Sequence, residues 1–529
     1  MLDLSPPKLL NKTSLPFRNA RDCKAWLVGL PMTDVPHAHT IMVEAIDSLN
    51  LTELPGYERL KILELTRDKV AFLQESLVGT FASKPLPLPH LTLIAWQNAA
   101  ALWEGMERGY RTCLRAAANE DAETAKYFAL IAERCLSYTG LQIRNYSFVY
   151  KEAPARLTQN LHSLFHFAEK RGVAHVPVKD SIDGHRGVAS PAQTYIRALL
   201  LNAAEPSMLH ANQLAAVDDL LKKWAGKVVI SRIPPENEAA ALRCTDLIGD
   251  KGLCIPCGPP VQTETLIYLD LKSLSNSLRR RIRKLAKGVP WSELSLPPSF
   301  AHVAVSQLLA HIHRQWCEAL VDETSEPPAR GECDVVNGFE AFYQALTGHP
   351  FEAPRQTEDF SSLAADQMAV FGKVIQRSAA VLSNNAAPLG ETWKLESAPS
   401  SVVQFRRPLA SKIAVSLQQM IGYRQAGESG LKLAIVRGMR DQQDAGLLVD
   451  TVPLTRHFEA VILRVKDMAF SPGLRLRSSP AATVELLLAP GFFQPGRVME
   501  VRADDIQMYR LTGVSQRGPN FDWVTCQPL

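Results

Sequence analysis

The sequence predicts an α+β protein: an N-terminal all-helical array followed by a C-terminal β-barrel region. Two observations carry this prediction. Through residues 21–225 apolar side chains recur at helical spacing, as do Leu60, Leu63, Val70 and Leu73, with charges between them. From Trp393 to Arg440 they fall mostly at every second position, as at Leu431, Leu433 and Ile435, and short Gly, Ser and Pro clusters punctuate the run. With 529 residues the chain can build several domains, each with a sizeable core.

Residues 1–20 contain Pro, Ser and Asn and read as a flexible arm. Helices follow. Asp34 is placed to cap a segment running to Leu49, and GYERLKILELTRDKVAFLQESLVGTF continues the array up to the Pro-rich break at 84–89. Further helical patterns cover Leu91–Asn119, Ala122–Ser137, Gly140–Glu152, Ala155–Lys170, Ser190–Ala203 and Asn212–Trp224. They lack the fixed period of a known repeat, so a bundle or irregular solenoid is expected. Residues 226–322 form a mixed helical connector, with strand character in KVVISRIPP and helices over Leu271–Lys287 and Pro298–Leu320. The linker ETSEPPARGE opens the barrel region, 323–529, which carries a helical insertion near 357–381. Toward the end Val484–Leu488, Arg497–Arg502, Tyr509–Val514 and Phe521–Cys526 read as strands that complete the barrel or build a second one.

Composition narrows the classes. A hydrophobic fraction of 46% and a charged fraction of 21% are ordinary for a folded soluble protein. A formal net charge of +4 is too small over this length to make nucleic acid the main partner. No apolar run approaches the ~20 residues of a membrane helix, and the N-terminus lacks a secretory pattern. The 9 cysteines are odd in number and scattered, which suits reduced thiols in a cytoplasm.

No catalytic constellation emerges. Cys254 and Cys257 form a C-x-x-C, but only the distant Cys244 could extend it toward a zinc site, so a tight turn with two small apolar residues is the expectation. His162 and His166 share a helix face without a third ligand, and His311 and His313 point to different faces. LRRRIRKLAK, from Leu278, has its apolar stripe in Leu271, Leu274, Leu278, Ile282 and Leu285, leaving Arg279, Arg280, Arg283, Lys284 and Lys287 on a solvated arc. The chain lacks a G-x-S-x-G elbow and a phosphate loop. Neither a metal nor a catalytic cofactor is expected.

One resemblance is carried by particular residues. ESAPSS at 396–401 is followed after a short spacer by Arg406 and Arg407, LAIVRGMR begins at Leu433, and Arg330 precedes the whole region. These resemble the PilZ domain, a small β-barrel whose usual ligand is cyclic di-GMP. That family uses an R-x-x-x-R segment before the barrel and a [DN]-x-S-x-x-G turn on an early strand. Guanidinium pairs bind phosphate bidentately and stack on guanine faces. Ser397 falls on the turn pattern, the acidic or amide position and the glycine do not, and no second arginine lies four residues from Arg330.

The phrases FRNARDCKAWLVGLP, ERLKILELTRDKVAFLQESL and NGFEAFYQALTG extend the resemblance to bacterial, largely betaproteobacterial, proteins that join a long helical region to such a barrel. The resemblance implies a non-enzymatic signalling or adaptor protein. Its barrel either binds cyclic di-GMP as a regulatory ligand, through Arg330, Ser397, Arg406, Arg407 and Arg437, or has become a protein-docking module. The helical array would bind a protein partner. The alternatives are an enzyme with a pocket between array and connector, using Cys254, Cys257, His311 or His313, and a purely structural scaffold.

Overall fold

A computed structural model of the chain describes residues 15–119, 121–180, 182, 187–234, 242–256, 261–318, 331–354, 390–397, 402–428, 430–442, 445–465, 468–476, 484–503 and 505–529. Residues 1–14, most of the linker at 323–332 and the insertion expected near 357–381 lie outside the described residues. The chain divides into two units, Met1–Asp322 and Glu323–Leu529.

The first unit is helical in its larger part. It begins with α1 (Ala20–Val28), α2 (Val35–Leu51), α3 (Gly56–Phe81) and α4 (His90–Ala118). It continues with α5 (Ala122–Ala125), α6 (Phe128–Ser147), α7 (Ala155–Lys170), a short hairpin of β1 (Val178–Lys179) and β2 (Val188–Ala189), then α8 (Pro191–Asn202) and α9 (Ala211–Trp224). Local chemistry sets several starts. Asp34 accepts from the His37 amide ahead of α2, and Ser190 with Gln193 makes a reciprocal capping box before α8, where Pro191 stands at the first position.

The sequence suggests a break near Gly140, yet α6 runs straight through it. A Cβ at Gly140 would lie 3.2 Å from the Cβ of Ala198, so this glycine admits α8 against α6 and does not end a helix.

The connector adds a sheet ordered β3 (Val229–Ser231), β5 (Leu266–Asp270), β4 (Arg243–Asp246), with α10 (Lys272–Ala286) and α11 (Val305–Cys317) beside it. On α10, Leu274 and Leu278 are buried as expected, and so is Arg281 from the basic run. Its Nε donates to the Leu294 carbonyl at 2.8 Å and its guanidinium lies 4.5 Å from the Trp224 ring centre.

The core of the helical array holds charge as well as apolar side chains. Arg134, 1% exposed at its side chain, donates to Glu64 at 2.9 Å and Glu133 at 2.5 Å and to the Lys179 carbonyl at 3.0 Å. Arg67 meets Asp180 at 2.9 and 3.0 Å. Asp218 receives Arg197 at 2.6 Å and also pairs with Arg144. Burial pulls the Glu64, Asp180 and Asp218 carboxyls upward, but the guanidiniums beside them prevail and hold all three below the ordinary range.

The second unit opens with β6 (Gly331–Val336) and α12 (Phe339–Thr347), which Gly348 ends at φ 80°. It continues through β7 (Gly390–Ser397), β8 (Val403–Arg407), β9 (Met420–Gln425), β10 (Lys432–Asp441) and β11 (Leu447–Pro453). These strands close a barrel in the order β10-β11-β8-β7-β6-β9.

The terminal strands build a barrel of their own. They are β12 (Phe458–Val465), β13 (Ser471–Leu476), β14 (Val484–Leu488), β15 (Val498–Arg502), β16 (Ile506–Arg517) and β17 (Asp522–Pro528). Their order is β12-β13-β14-β17-β16-β15, also closed. Closure removes the unpaired edges that either half would otherwise expose.

The two barrels share one apolar cluster. Phe339 and Phe342 of α12, Met420 and Leu433 of the first barrel, and Leu474, Leu487 and Phe521 of the second are buried together. Asn520 adds polar matching: Met420 N donates to its Oδ1 at 2.9 Å, and its Nδ2 donates to the Met420 carbonyl at 2.8 Å. Beside it, a Cβ on Gly518 would come 2.3 Å from Phe521 and 2.4 Å from the Gln418 carbonyl, so only glycine permits this approach.

Two predictions follow from this packing. The depressed carboxyls stabilise the fold fully above their unfolded pKa, and that contribution is lost as pH falls through the folded values. The melting temperature of the full chain should therefore drop below about pH 4, and Asp218→Asn should destabilise by about 3 kcal/mol at neutral pH and by less in acid. Melting curves that do not change between neutral and acid buffer would refute this. In the second unit, Asn520→Ala should lower stability by about 1–2 kcal/mol by leaving the Met420 backbone unmatched. Gly518→Val should do more damage, and chemical denaturation of the two variants side by side measures the order.

Candidate functional site

The exterior of the first barrel carries some of the residues singled out by sequence. On β8 successive side chains alternate, so Gln404 and Arg406 face out while Phe405 and Arg407 face in. Ser397 ends β7 opposite Gln404, next to a register shift. Arg406 meets Glu396 at 2.5 Å and donates to Gln442 at 2.9 Å and to the Ala445 carbonyl at 3.2 Å. On the next strands Asp450 accepts from Gln404 at 2.6 Å and from Arg440 at 2.9 Å. The result is a polar face in which Arg406 and Arg440 each hold a carboxylate, with amides between them.

Arg407 stands apart from its neighbour. Only 3% exposed, it donates to the carbonyls of Ile413 at 2.9 Å and Ser411 at 2.7 Å. Glu391 grips the same loop from its amide side, accepting from Lys412 N at 2.5 Å, Ile413 N at 3.0 Å and the Ser411 hydroxyl. Burial raises the Glu391 carboxyl, but the Ser411 and backbone hydrogen bonds outweigh it and hold it below its usual value. This pair fixes the 408–415 loop against the barrel.

Arg437 sits half-buried on β10, where the register slips between Val436 and Gly438. β11 separates its strand from β8. Ser397 and Arg406 are thus brought together, Arg407 faces the opposite side of the same strand, Arg437 lies two strands away, and Arg330 is outside the described residues.

The second barrel carries an arginine cluster that sequence reasoning missed. Arg464 and Arg502 lie over the Phe470 ring at 5.0 and 4.6 Å. Arg502 pairs with Glu500, whereas among the described residues no carboxylate pairs with Arg464. Arg456 lies 5.5 Å from the Trp523 ring centre and pairs with Glu485. The available signal was arginines on strands flanking a lone aromatic, but their convergence depends on the β12–β15 pairing, which joins Ile462 to Arg502.

The first unit contains a groove of about 480 Å³ lined in part by Arg67, Gln74, Trp103, Tyr138, Arg144 and Phe148. Its cations are matched from within: Arg67 by Asp180, Arg144 and Arg197 by Asp218, and Lys222 by Asp219.

Three of the four histidines weighed as ligands or bases are likewise occupied. His162 contacts the Tyr195 hydroxyl at 2.7 Å and the Lys251 carbonyl at 2.9 Å. His311 contacts the Ala204 carbonyl at 2.8 Å, and His313 contacts Glu318 at 2.9 Å. Among the described residues no group of three or more His, Cys, Asp or Glu side chains is arranged to hold a metal ion, and no helix is long and apolar enough to cross a membrane. Cys257 lies outside the described residues, and the sulfur of Cys254 meets that of Cys244.

Comparison with known proteins finds similarity to a cyclic-di-GMP receptor. Residues 21–236, all within the first unit, match the family model described as the N-terminal domain of the cyclic-di-GMP receptor FimW. The chain is 24% identical over 352 residues to the cyclic-di-GMP receptor FimW of Pseudomonas aeruginosa, an alignment covering 64% of this chain and 55% of that receptor. The chain therefore spans about half the length of the curated relative it matches. No solved structure matches it.

The loop clamp gives a direct expectation. Glu391→Gln should leave the Lys412 and Ile413 amides with a weaker acceptor, lowering stability by about 1–2 kcal/mol. Hydrogen exchange at those two amides should accelerate. Unchanged protection there would show that the loop is held by other means.

Proposed function

We propose that this chain is a non-enzymatic cyclic di-GMP effector whose second unit is PilZ-like. The observation that carries the reading is the 352-residue similarity to a cyclic-di-GMP receptor, supported by a β-barrel unit that presents arginines on its outer face. The ligand face is the one built around Ser397 and Arg406, with Arg437 and Arg330 as further contributors and Arg407 holding the adjacent loop. A dianionic ligand entering there must draw Arg406 from Glu396, and Arg440 from Asp450, by offering phosphate oxygens in their place. Those exchanges differ between free and bound states, which is the differential affinity a switch requires. The helical array serves as the surface for a protein partner in the cytoplasm.

A second reading places the ligand on the second barrel, because Arg464 is stacked on Phe470 without a carboxylate partner among the described residues. A guanidinium held flat by a ring keeps its edge for phosphate.

Titration calorimetry of the full chain with cyclic di-GMP separates these outcomes. Micromolar binding that weakens roughly tenfold or more in Arg406→Ala, the loss of one charge-assisted contact, supports the first face. Loss in Arg464→Ala with Arg406→Ala unaffected moves the ligand to the second barrel. No heat at high ligand concentration overturns the receptor reading and leaves the docking module.

A further inference from the structure

The C-x-x-C spacing draws attention to Cys254 and Cys257, but folding gives Cys254 a different neighbour. Cys244, on β4, and Cys254 exchange both backbone hydrogen bonds, N to O at 2.9 Å each way. They therefore face each other as a directly opposed antiparallel pair. In such a pair the Cα atoms sit about 5.5 Å apart, inside the range a disulfide spans. The Sγ atoms are 3.6 Å apart. Closing that gap to the ~2.05 Å of an S–S bond asks for a small side-chain rotation and no change of backbone pairing.

The turn between the two cysteines is anchored. Thr245 Oγ1 donates to the Lys251 carbonyl at 3.0 Å, and the same carbonyl meets His162 Nε2 at 2.9 Å. The two sulfurs are thus held in register from several directions.

Access and ionisation divide the roles. Cys254 is exposed while Cys244 is buried. The Cys244 thiol hydrogen-bonds to Cys254 and, helped by the charges of Lys251 and Arg243 against partial burial, lowers the Cys254 thiol to about 6. Burial drives other described cysteines the opposite way: Cys317 is pushed up to about 11, and Cys23 and Cys113 to about 12. An accessible thiolate beside a shielded thiol is the arrangement that lets one sulfur react and the other resolve.

We propose that Cys244 and Cys254 form a thiol-oxidation site, in which hydroperoxides oxidise Cys254 and Cys244 resolves the product to a reversible intrachain disulfide. In the first step the Cys254 thiolate attacks the outer peroxide oxygen, the O–O bond breaks, and the departing alkoxide or hydroxide takes a proton to leave as alcohol or water. Cys254 is then a sulfenic acid, two electrons more oxidised. In the second step the Cys244 sulfur attacks the Cys254 sulfur, the S–O bond breaks, and the hydroxyl leaves as water with the Cys244 proton. The disulfide closes the 244–254 turn covalently, and a dithiol reductant restores it.

The test uses the full chain, reduced, then exposed to stoichiometric hydrogen peroxide at neutral pH, alkylated and mapped by peptide mass spectrometry. The expected product is a Cys244–Cys254 cross-link, formed equally in Cys257→Ser. In Cys244→Ser the cross-link disappears and Cys254 accumulates as a sulfenic acid that dimedone captures. A cross-link between Cys254 and Cys257, first oxidation at any other cysteine, or a Cys244→Ser variant that gains no dimedone adduct would each overturn the proposal. Circular dichroism of the reduced variants confirms that the comparison is made on folded protein.

Discussion

A buried guanidinium has to find acceptors, and much of this structure is arranged around that requirement. Arg134 is satisfied by two carboxylates and a backbone carbonyl from three parts of the helical array. Arg281 is satisfied by a carbonyl and an indole face, and Arg407 by the carbonyls of a barrel loop. Each charge would be strongly destabilising if stranded, so Arg134 and Arg281 tie together segments far apart in sequence, while Arg407 fastens the loop that follows its own strand. Arg59 does the same on a smaller scale, joining the ends of α2 and α3 through the Leu49 and Thr52 carbonyls at 2.6 Å.

The same rule bears on function. An arginine available to a phosphate is one whose present acceptors can be exchanged or were never supplied. Arg407 is committed to its loop, and withdrawing it would free both the loop and the charge. Arg406 and Arg440 are held by half-buried carboxylates that a better acceptor could replace. Arg464 rests on an aromatic ring alone among the described residues. Counting arginines therefore overstates the binding capacity of the barrels; their partners decide it.

The second unit joins its barrels through apolar packing. Phe342 is fully buried, and Gly422 lies so close that a Cβ there would stand 2.8 Å from Val336 and 3.1 Å from Phe342. Asn520 then replaces water at the Met420 backbone. A β-barrel closed on itself usually leaves only its exterior for contact, and here α12 turns part of both exteriors into shared core.

Periodicity by itself determined the class of fold and the place of most elements. Ala155–Lys170 is the same helix in both descriptions, and Val484–Leu488 the same strand, because an apolar repeat of a given period can be buried only by the matching backbone. It also showed the terminal strands as a set, without deciding whether they closed alone. What remained hidden were relations across distance. Gly140 looks like a helix break until Ala198 is seen against it. Nothing in the spacing pairs Arg281 with Trp224, 57 residues earlier, until the fold sets them together. Cys244 looks too remote from Cys254 to matter until strand pairing sets them opposite one another. Sequence spacing reports which face a residue occupies, whereas the partner on that face is chosen by packing. The chemistry of arginines and cysteines depends on the partner.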